Sequence, residues 1–207
     1  MTPKELMLNH PIISEQIEQD ELLVILEELQ KILDIDTEGD VCEFGCFAGT
    51  TSLFLQRLLI KNKSNKKLYL YDSFNGLPEK SQVDQSTSGK EFVSGELLAT
   101  KSQLKLNFKK ANLPLPKIKK AWFKDLKQTD IPKKISFAFL DGDFYTSIKD
   151  SLNLIQNRIQ KGGIIIVDDY DSPALPGAKL ATDEFLKQNK NFRLLKITKS
   201  LALIQKS

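Results

Sequence analysis

The pattern of apolar and polar positions along the chain predicts strands that alternate with helices. Short runs of β-branched and aromatic residues end in glycine or aspartate, and segments of helical periodicity separate them. The predicted strands are Val41–Phe44, Lys67–Asp72, Lys117–Phe123, Lys134–Leu140 and Ile164–Val167. The predicted helices are Ser14–Leu33, Thr50–Ile60, Gly95–Lys110, Thr146–Gln160 and Ala178–Lys187. Ser14 is a candidate cap for the first of them, and two short helices are the alternative to that single helix. The last two apolar runs, in FRLLKITKSLALIQKS, predict a terminal β-hairpin.

This alternation, with short connections, indicates an α/β domain with a mostly parallel sheet covered on both faces. Together with the hairpin it predicts seven strands in a single domain over residues 1–207. Residues 1–38 are expected to form an N-terminal helical segment, and residues 79–118 a helical insertion, or lid. Gly162 and Gly163 are expected to close the helix before the fifth strand. Ligands in such sheets bind at the carboxyl ends of the strands.

Composition narrows the class of protein. Hydrophobic residues make up 41% and charged residues 28% of the 207 residues, as in ordinary globular proteins, and the net charge is +3. The scattered lysines are interpreted as solvated surface, so no nucleic-acid partner is expected. Cys42 and Cys46 are too few for a disulfide scaffold or a closed zinc site, and buried free thiols are expected. No apolar run is long enough for a bilayer and the N-terminus is too polar for a signal peptide, which predicts a cytoplasmic protein without membrane partners.

The first strand ends in a glycine-containing turn that leads into a helix. Gly45 and Gly49 permit a tight turn and a close approach of a ligand to the backbone. The free N–H groups of the helix that begins at Thr50 and Thr51 face the same point. Glu43 favours a ligand that carries an ammonium group over a bare phosphate. The spacing differs from the G-x-G-x-x-G of dinucleotide-binding proteins. A plain structural turn is the alternative interpretation.

The next two strands end in residues that suit a nucleoside. Asp72, on the neighbouring strand, is placed to accept hydrogen bonds from both hydroxyls of a ribose. Its alternative role is a surface acid or a helix cap. Trp122 and Phe123 offer flat apolar surfaces for an adenine, and core packing is the alternative for both.

The fourth and fifth strands end in acids. Asp141 and Asp143 follow one strand, and Asp168 and Asp169 follow the other. Adjacent parallel strands would bring these carboxylates together, and a hard divalent cation resolves the resulting repulsion. Ligation by oxygen alone suits Mg²⁺, Ca²⁺ or Mn²⁺ and argues against zinc. In the alternative, one acid caps a helix and the others face solvent.

Histidine chemistry is not expected. His10 is the only histidine and precedes a proline near the N-terminus, where a surface or packing role is expected. Without it no Ser/His/Asp or Cys/His set can be assembled, which argues against hydrolases of that type.

Taken in order, the strand-end motifs resemble class I S-adenosylmethionine-dependent methyltransferases. More closely, they resemble the macrocin O-methyltransferase (TylF-like) family of metal-dependent sugar O-methyltransferases. The motifs lie between about Val41 and Leu186, and the metal arrangement also resembles that of catechol O-methyltransferase. They are VCEFGCFAGTTS, LYLYDSFNGLPE, VSGELLAT, AWFKD, FAFLDGDFYTSIKDSL, GGIIIVDDYDSP and PGAKLATDEFL.

The resemblance implies a Rossmann-like class I methyltransferase fold, S-adenosylmethionine and Mg²⁺ as cofactors, and a hydroxyl of a sugar or related small natural product as acceptor. Asp141, Asp168 and Asp169 would hold Mg²⁺. Asp141 is the first choice of general base and Asp143 the second. A homodimer through the amphipathic N-terminal helix is compatible with the pattern. The residues that would surround the methyl donor are Glu43, Gly45, Phe47, Gly49, Thr50, Thr51, Asp72, Ser73, Trp122, Phe123 and Asp141.

Three other functions stay open on the residues alone. Asp141-Gly142-Asp143 is a D-x-D motif that could hold Mg²⁺ and a nucleotide sugar in a glycosyltransferase. An NAD-dependent oxidoreductase lacks the third glycine that its motif requires. A nucleotide-binding protein without turnover would keep the same fold.

Overall fold

The computed structural model describes residues 2–88, 90 and 92–207. The helices are α1 (Pro3–Leu8), α2 (Gln19–Asp34), α3 (Thr50–Lys61), α4 (Lys101–Lys110), α5 (Tyr145–Ile155) and α6 (Pro176–Gln188). The strands are β1 (Asp40–Phe44), β2 (Leu68–Asp72), β3 (Lys117–Lys120), β4 (Ile135–Leu140), β5 (Ile159–Val167), β6 (Phe192–Thr198) and β7 (Leu201–Lys206). Two short 3₁₀ turns, Gln82–Asp84 and Phe123–Asp125, lie in the connections that flank β3.

All seven strands form one sheet in the order β3-β2-β1-β4-β5-β7-β6. The first five in this order are parallel, and β7 pairs antiparallel with both β5 and β6. The predicted seven-stranded α/β fold with an antiparallel C-terminal hairpin is confirmed. Chain order reverses between β1 and β4, which opens a crevice at the carboxyl ends of these strands.

Apolar side chains cover both faces of the sheet. All six residues of β4 are buried, as expected for a central parallel strand between two helical layers. On one face the core includes Leu26 of α2 and Phe54 of α3. On the other it includes Leu152 of α5 and Phe185 of α6. Burying each such side chain stabilises the fold by about 1.5–3 kcal/mol, so the two layers hold the strand ends in register.

The N-terminal helix differs from its predicted bounds. The predicted helix from Ser14 begins only at Gln19, and a separate helix, capped by Thr2, precedes it. The hydroxyl of Ser14 lies 2.6 Å from that of Thr50 instead of capping a helix. The prediction was wrong here because a long-range contact uses the residue that looked like a local cap.

The fifth strand is longer than predicted. The preceding helix ends at Ile155, and Gly162 and Gly163 lie inside β5 rather than at a helix end. Ile135 of β4 pairs with Ile159 while Phe137 pairs with Ile164, so β5 bulges between the two pairs. Gly162 has a φ of 77°, and glycine adopts this left-handed backbone conformation, which the bulge uses, without steric strain.

The predicted bounds of two further elements are corrected. The third strand ends at Lys120, so Trp122 and Phe123 lie in the turn after it. The helix predicted from Gly95 begins at Lys101, where the side chain of Thr100 accepts a hydrogen bond from the N–H of Gln103.

Cys42 and Cys46 are buried free thiols, as predicted. None of the described helices is both long and apolar enough to cross a membrane.

Candidate active site

A cavity opens at the carboxyl ends of β1, β2, β4 and β5. Residues that follow these strands form its floor, and the N-terminal segment and the connection after β2 form its rim. From the sequence-predicted set, the residues that line it are Gly45, Phe47, Asp72, Ser73, Trp122, Phe123, Asp141, Asp143, Asp168 and Asp169. The topology therefore gathers ten of the predicted residues around one space.

The glycine turn, Gly45–Gly49, brings two strand ends into close contact. Gly45 has a φ of 86°, and a Cβ atom there would lie 1.7 Å from the carbonyl oxygen of Asp141. Gly49 has a φ of 93° at the start of α3, and a Cβ atom there would lie 2.3 Å from Cδ1 of Leu104. Only glycine fits both positions, which keeps the backbone of the turn accessible from the cavity.

Asp72 holds the glycine turn from the neighbouring strand. Its Oδ2 accepts hydrogen bonds from the N–H groups of Cys46 (2.9 Å) and Phe47 (3.0 Å). Its Oδ1 accepts one from the N–H of Phe74 at 2.6 Å. Each carboxylate oxygen has two lone pairs, so Asp72 keeps capacity for a ligand hydroxyl while it orders the turn.

Four residues predicted at the methyl donor lie away from the cavity surface. Glu43, Gly49, Thr50 and Thr51 are buried and are not among the described residues that line it. The carboxyl group of Glu43 accepts a hydrogen bond from the hydroxyl of Ser52 at 2.5 Å. Burial, with a smaller effect of Asp72, raises the pKa of Glu43 to about 8. Glu43 therefore holds its proton at neutral pH in the absence of a ligand.

An aromatic wall follows β3. Trp122 and Phe123 both line the cavity, and the Phe123 ring packs edge-on against Phe44 with centroids 5.4 Å apart. A Cβ atom at Gly142 would lie 3.2 Å from Cε2 of Phe123 and 2.8 Å from Cβ of Ser147. The aromatic wall thus packs against the backbone that carries the acids.

The acids converge as a three-aspartate group. One carboxylate oxygen from each of Asp141, Asp143 and Asp169 lies within 4.8 Å of the other two. Asp143 and Asp169 have φ values of 60° and 57°, a left-handed conformation that aspartate tolerates better than most residues. Such conformations concentrate at functional sites, where the surrounding structure enforces them.

Asp168 lies beside this group rather than in it. Its side chain also lines the cavity, but Oδ1 accepts a hydrogen bond from the N–H of Asp169 at 2.9 Å. The sequence predicts Asp168 as a metal ligand and Asp143 as an alternative base, whereas the group of closest carboxylates contains Asp143. The sequence predicts which residues end each strand, and the turns after them decide which carboxylates meet.

Crowding of these acids favours their protonated forms. Burial and then the repulsion of Asp168 raise the pKa of Asp141 well above its usual range. Burial and Asp169 raise the pKa of Asp143 to about 8, and burial and Glu21 raise that of Asp169 to about 6. A divalent cation would reverse these shifts, and the all-oxygen donor set suits Mg²⁺. The residues present therefore fit the metal that the fold implies.

Comparison with models of known protein families assigns the chain to a family. A model of the family described as Macrocin-O-methyltransferase (TylF) matches residues 14–204. The chain belongs to this family. The resemblance predicted from the strand-end motifs is confirmed.

Curated relatives of this family member are similar over part of their length. The 8-demethyl-8-(2,3-dimethoxy-alpha-L-rhamnosyl)-tetracenomycin-C 4'-O-methyltransferase of Streptomyces olivaceus is 29% identical over 149 residues, 69% of this chain and 57% of that protein. The mycinamicin III 3''-O-methyltransferase of Micromonospora griseorubida is 26% identical over 144 residues, 66% of this chain and 57% of that protein. The chain spans about three fifths of the length of the curated relatives that it matches.

Solved structures share the fold. The O-methyltransferase NovP superposes with a TM-score of 0.78 and 23% identity, covering 90% of this chain and 79% of NovP. The calicheamicin methyltransferase CalS11 superposes with a TM-score of 0.73 and 19% identity, covering 98% of this chain and 89% of CalS11. The sheet order and terminal hairpin are therefore those of class I methyltransferases.

Sequence reasoning missed the rim of the cavity in this family member. Glu15, Gln16 and Glu21, from the segment before α2 and its first turn, line the cavity beside the acids. Burial raises the pKa of Glu21. No local pattern could reveal these residues, because only the packing of α2 on the sheet brings them to the strand ends. His10 packs edge-on against Phe54, with ring centroids 6.5 Å apart.

Proposed function

We propose that this chain is an S-adenosylmethionine-dependent O-methyltransferase that uses Mg²⁺ and acts on a hydroxyl of a sugar in a small natural product. The observation that carries the proposal is the contact between the glycine turn and the acids. At Gly45 even a single carbon would strike the backbone of Asp141. A methyl donor on the turn and a hydroxyl beside the acids would therefore lie next to each other.

The relatives support a sugar acceptor. The names of two of them refer to a rhamnosyl-bearing tetracenomycin and to mycinamicin III. CalS11, whose apo structure is also similar to this chain, is described as a TDP-rhamnose 3'-O-methyltransferase. These names include a sugar already joined to a natural product and a sugar still joined to a nucleotide. A sugar hydroxyl is common to both.

The lining residues fit the parts of the methyl donor. Backbone groups of Gly45 and Phe47 would contact its methionine part. Asp72 would accept a hydrogen bond from the ribose through Oδ1, which accepts only one backbone N–H and so keeps a lone pair. Trp122 and Phe123 would flank the adenine, where they form the aromatic wall. Ser73, whose hydroxyl donates to the carbonyl of Gly76 at 3.2 Å, would complete the ribose side.

The acids would hold Mg²⁺. Asp141 and Asp169, which the sequence predicts as ligands, would hold the ion together with Asp143, and the grouping of their carboxylate oxygens within 4.8 Å supports this set. Asp168, which the sequence predicts as a ligand, would support Asp169 through its hydrogen bond to that residue's N–H. When bound, Mg²⁺ lowers the pKa of an acceptor hydroxyl, as it does for water.

Asp141 is the proposed general base, and Asp143 is the alternative. Asp141 lies both at the glycine turn and in the three-aspartate group, so its carboxylate can reach a hydroxyl held between them. The hydroxyl would give its proton to Asp141. Its oxygen would bond to the methyl carbon as the sulfur–carbon bond breaks, leaving S-adenosylhomocysteine. Holding both reactants in line supplies much of the rate.

Calorimetry with three nucleotide ligands tests the cofactor. We expect S-adenosylhomocysteine to bind, and UDP-glucose and NAD not to bind. Binding of UDP-glucose alone would contradict the proposal and support the D-x-D glycosyltransferase.

Removal of the metal tests the role of Mg²⁺. EDTA is expected to abolish methyl transfer, with recovery on excess Mg²⁺, and Asp168→Asn is expected to weaken Mg²⁺ binding. Asp171→Asn is the matched control, since this exposed acid pairs with Lys179 at 3.0 Å.

A further inference from the structure

The cavity has an apolar wall beyond the positions of methyl donor and metal. The connection after β2 contributes Leu77, Phe92 and Leu97, and the loop before α6 contributes Leu175. Leu77 and Leu175 are buried together against Phe144, so this wall has a fixed shape. An apolar surface suits the C–H face of a sugar, above all one that carries a methyl group in place of a hydroxymethyl group.

The opposite rim is acidic. Glu15 lies exposed at the mouth and Glu21 half-buried deeper in. Glu21 is close enough to Asp168 and Asp169 that its charge raises the pKa of both. The acidic rim therefore lies on the metal side of the cavity, where the acceptor hydroxyl must enter.

Nothing among the described residues that line the cavity offers a positive charge. Seven carboxylates line it, and no lysine or arginine does. A diphosphate is normally held by such cations or by free N–H groups at a helix N-terminus. Here the N–H of Tyr145, the first residue of α5, already donates to Asp84 at 2.7 Å, and Pro176, the first residue of α6, has no N–H. Neither of these two residues can donate a backbone hydrogen bond to a diphosphate.

We infer that the acceptor is a deoxysugar joined to an uncharged group, and that Glu15 and Glu21 exclude a nucleoside diphosphate sugar. This inference rests on the proposed function and adds the order in which glycosyl transfer and methyl transfer take place. The methyl group is added after the sugar has left its nucleotide carrier, so a glycosyl transfer must supply the substrate.

A matched pair of acceptors tests the inference. Methyl α-L-rhamnoside and dTDP-L-rhamnose present the same sugar without and with a diphosphate, and free Mg²⁺ is held equal in both assays. We expect kcat/KM for methyl transfer to be at least about tenfold higher for the methyl glycoside, since like charges that meet in a site cost more than 1.4 kcal/mol. Equal or better use of dTDP-L-rhamnose overturns the inference.

Variants of the acidic rim separate its role from that of the metal site. In Glu15→Gln/Glu21→Gln the preference for the methyl glycoside should fall several-fold, through a rise in kcat/KM for dTDP-L-rhamnose. Gln at position 21 can still accept the hydrogen bond that Glu21 takes from the N–H of Glu18 at 3.1 Å. Glu27→Gln, on the exposed side of α2, should leave the preference unchanged. An unchanged preference in the double variant would show that the rim does not select the acceptor.

Failure of this inference can be distinguished from failure of the proposed function. If neither sugar is methylated while S-adenosylhomocysteine and Mg²⁺ both bind, the acceptor assignment is wrong and the cofactor assignment stands. If S-adenosylhomocysteine does not bind, the proposed function itself is contradicted.

Discussion

The environment of each acid near a strand end depends on the direction in which its side chain points. Glu43 lies in β1, with its carboxyl group turned into the core toward Ser52. Asp72 ends β2 and turns toward the glycine turn, where it accepts backbone N–H groups. Two acids that look equivalent in sequence therefore have different environments, and only one of them lines the cavity.

This difference predicts a pH dependence of stability. In the unfolded chain Glu43 ionises near its usual pKa of 4.5, whereas in the folded protein its pKa is about 8. Between these values the unfolded state loses its proton first, so rising pH favours unfolding by up to about 1.4 kcal/mol per pH unit. Below pH 4.5 both states are protonated and the group contributes no pH dependence.

Glu43→Gln should remove this contribution, because Gln does not ionise and can still accept the hydrogen bond from Ser52. The measurement is urea unfolding of both proteins at pH 5, 6, 7 and 8, without Mg²⁺ or methyl donor. The variant should gain stability relative to the parent as pH rises. Parallel stability curves would show that Glu43 is already ionised in the folded protein.

Residue roles could be predicted from the sequence only as far as strand ends reveal them. The acids after β4 and β5 were predicted to meet, but the sequence assigned Asp168 to the metal where the structure groups Asp143. Asp143 sits in a left-handed conformation that returns its side chain toward Asp169. A single backbone torsion decides this, and no hydrophobic pattern encodes it.

At the scale of elements, a buried aspartate joins the connection after β2 to the start of α5. Asp84 is fully buried and accepts hydrogen bonds from the N–H of Tyr145 at 2.7 Å and the N–H of Ser81 at 3.0 Å. A Cβ atom at Gly177 of α6 would lie 1.8 Å from Oδ1 of Asp84, so this glycine makes room for the carboxylate. Asp84 therefore fixes the helix start that directly follows Asp143.

Asp84→Asn is predicted to loosen that helix start. Asn offers one oxygen where Asp84 has two, so one of the two N–H donors loses its partner at a cost of about 1–3 kcal/mol. We expect lower stability in urea and a severalfold weaker affinity for Mg²⁺ by calorimetry, because Asp143 lies two residues before Tyr145. Ser81→Ala is the control, since it removes only the hydroxyl contact with Asp84. It should reduce stability but keep the Mg²⁺ affinity.

Elements with strong local signals could be predicted, and those shaped by distant contacts could not. The buried run of β4 and the periodic face of α5 needed no tertiary information. The start of α2 was misplaced because Ser14 contacts Thr50 rather than capping a helix. In β5 the pair Gly162-Gly163 resembled a helix end, but it serves a bulge that only pairing with β4 requires.

At the scale of the whole molecule, sheet order and helix packing together build the site. The reversal between β1 and β4 places the glycine turn beside the acids. Packing of α2 against α3 then carries Glu15 and Glu21 to the open side of the cavity. The sequence predicts a mostly parallel seven-stranded sheet with an antiparallel C-terminal hairpin, but the closure of the cavity by the N-terminal segment is a long-range result of the fold.

The crowded acids make the stability of the whole protein depend on Mg²⁺. A ligand that binds only the folded state at a hundred times its Kd stabilises it by about 2.7 kcal/mol, which corresponds to a rise in Tm of roughly 5–11 °C for a domain of this size. Asp143→Asn removes a buried acid whose pKa is raised to about 8 in the folded protein, so the variant no longer loses stability through ionisation of this group in the unfolded chain. It should raise Tm in the absence of Mg²⁺ and reduce the rise on adding it.

Calorimetric melting of both proteins in EDTA and in excess MgCl₂ measures these effects. KCl at the same ionic strength is the control for screening, which also weakens repulsion between charges. Asp171→Asn, next to the acids in sequence but exposed and paired with Lys179, should keep the full response to Mg²⁺. If KCl reproduces the effect of MgCl₂, the acids repel one another without forming a site for a divalent ion.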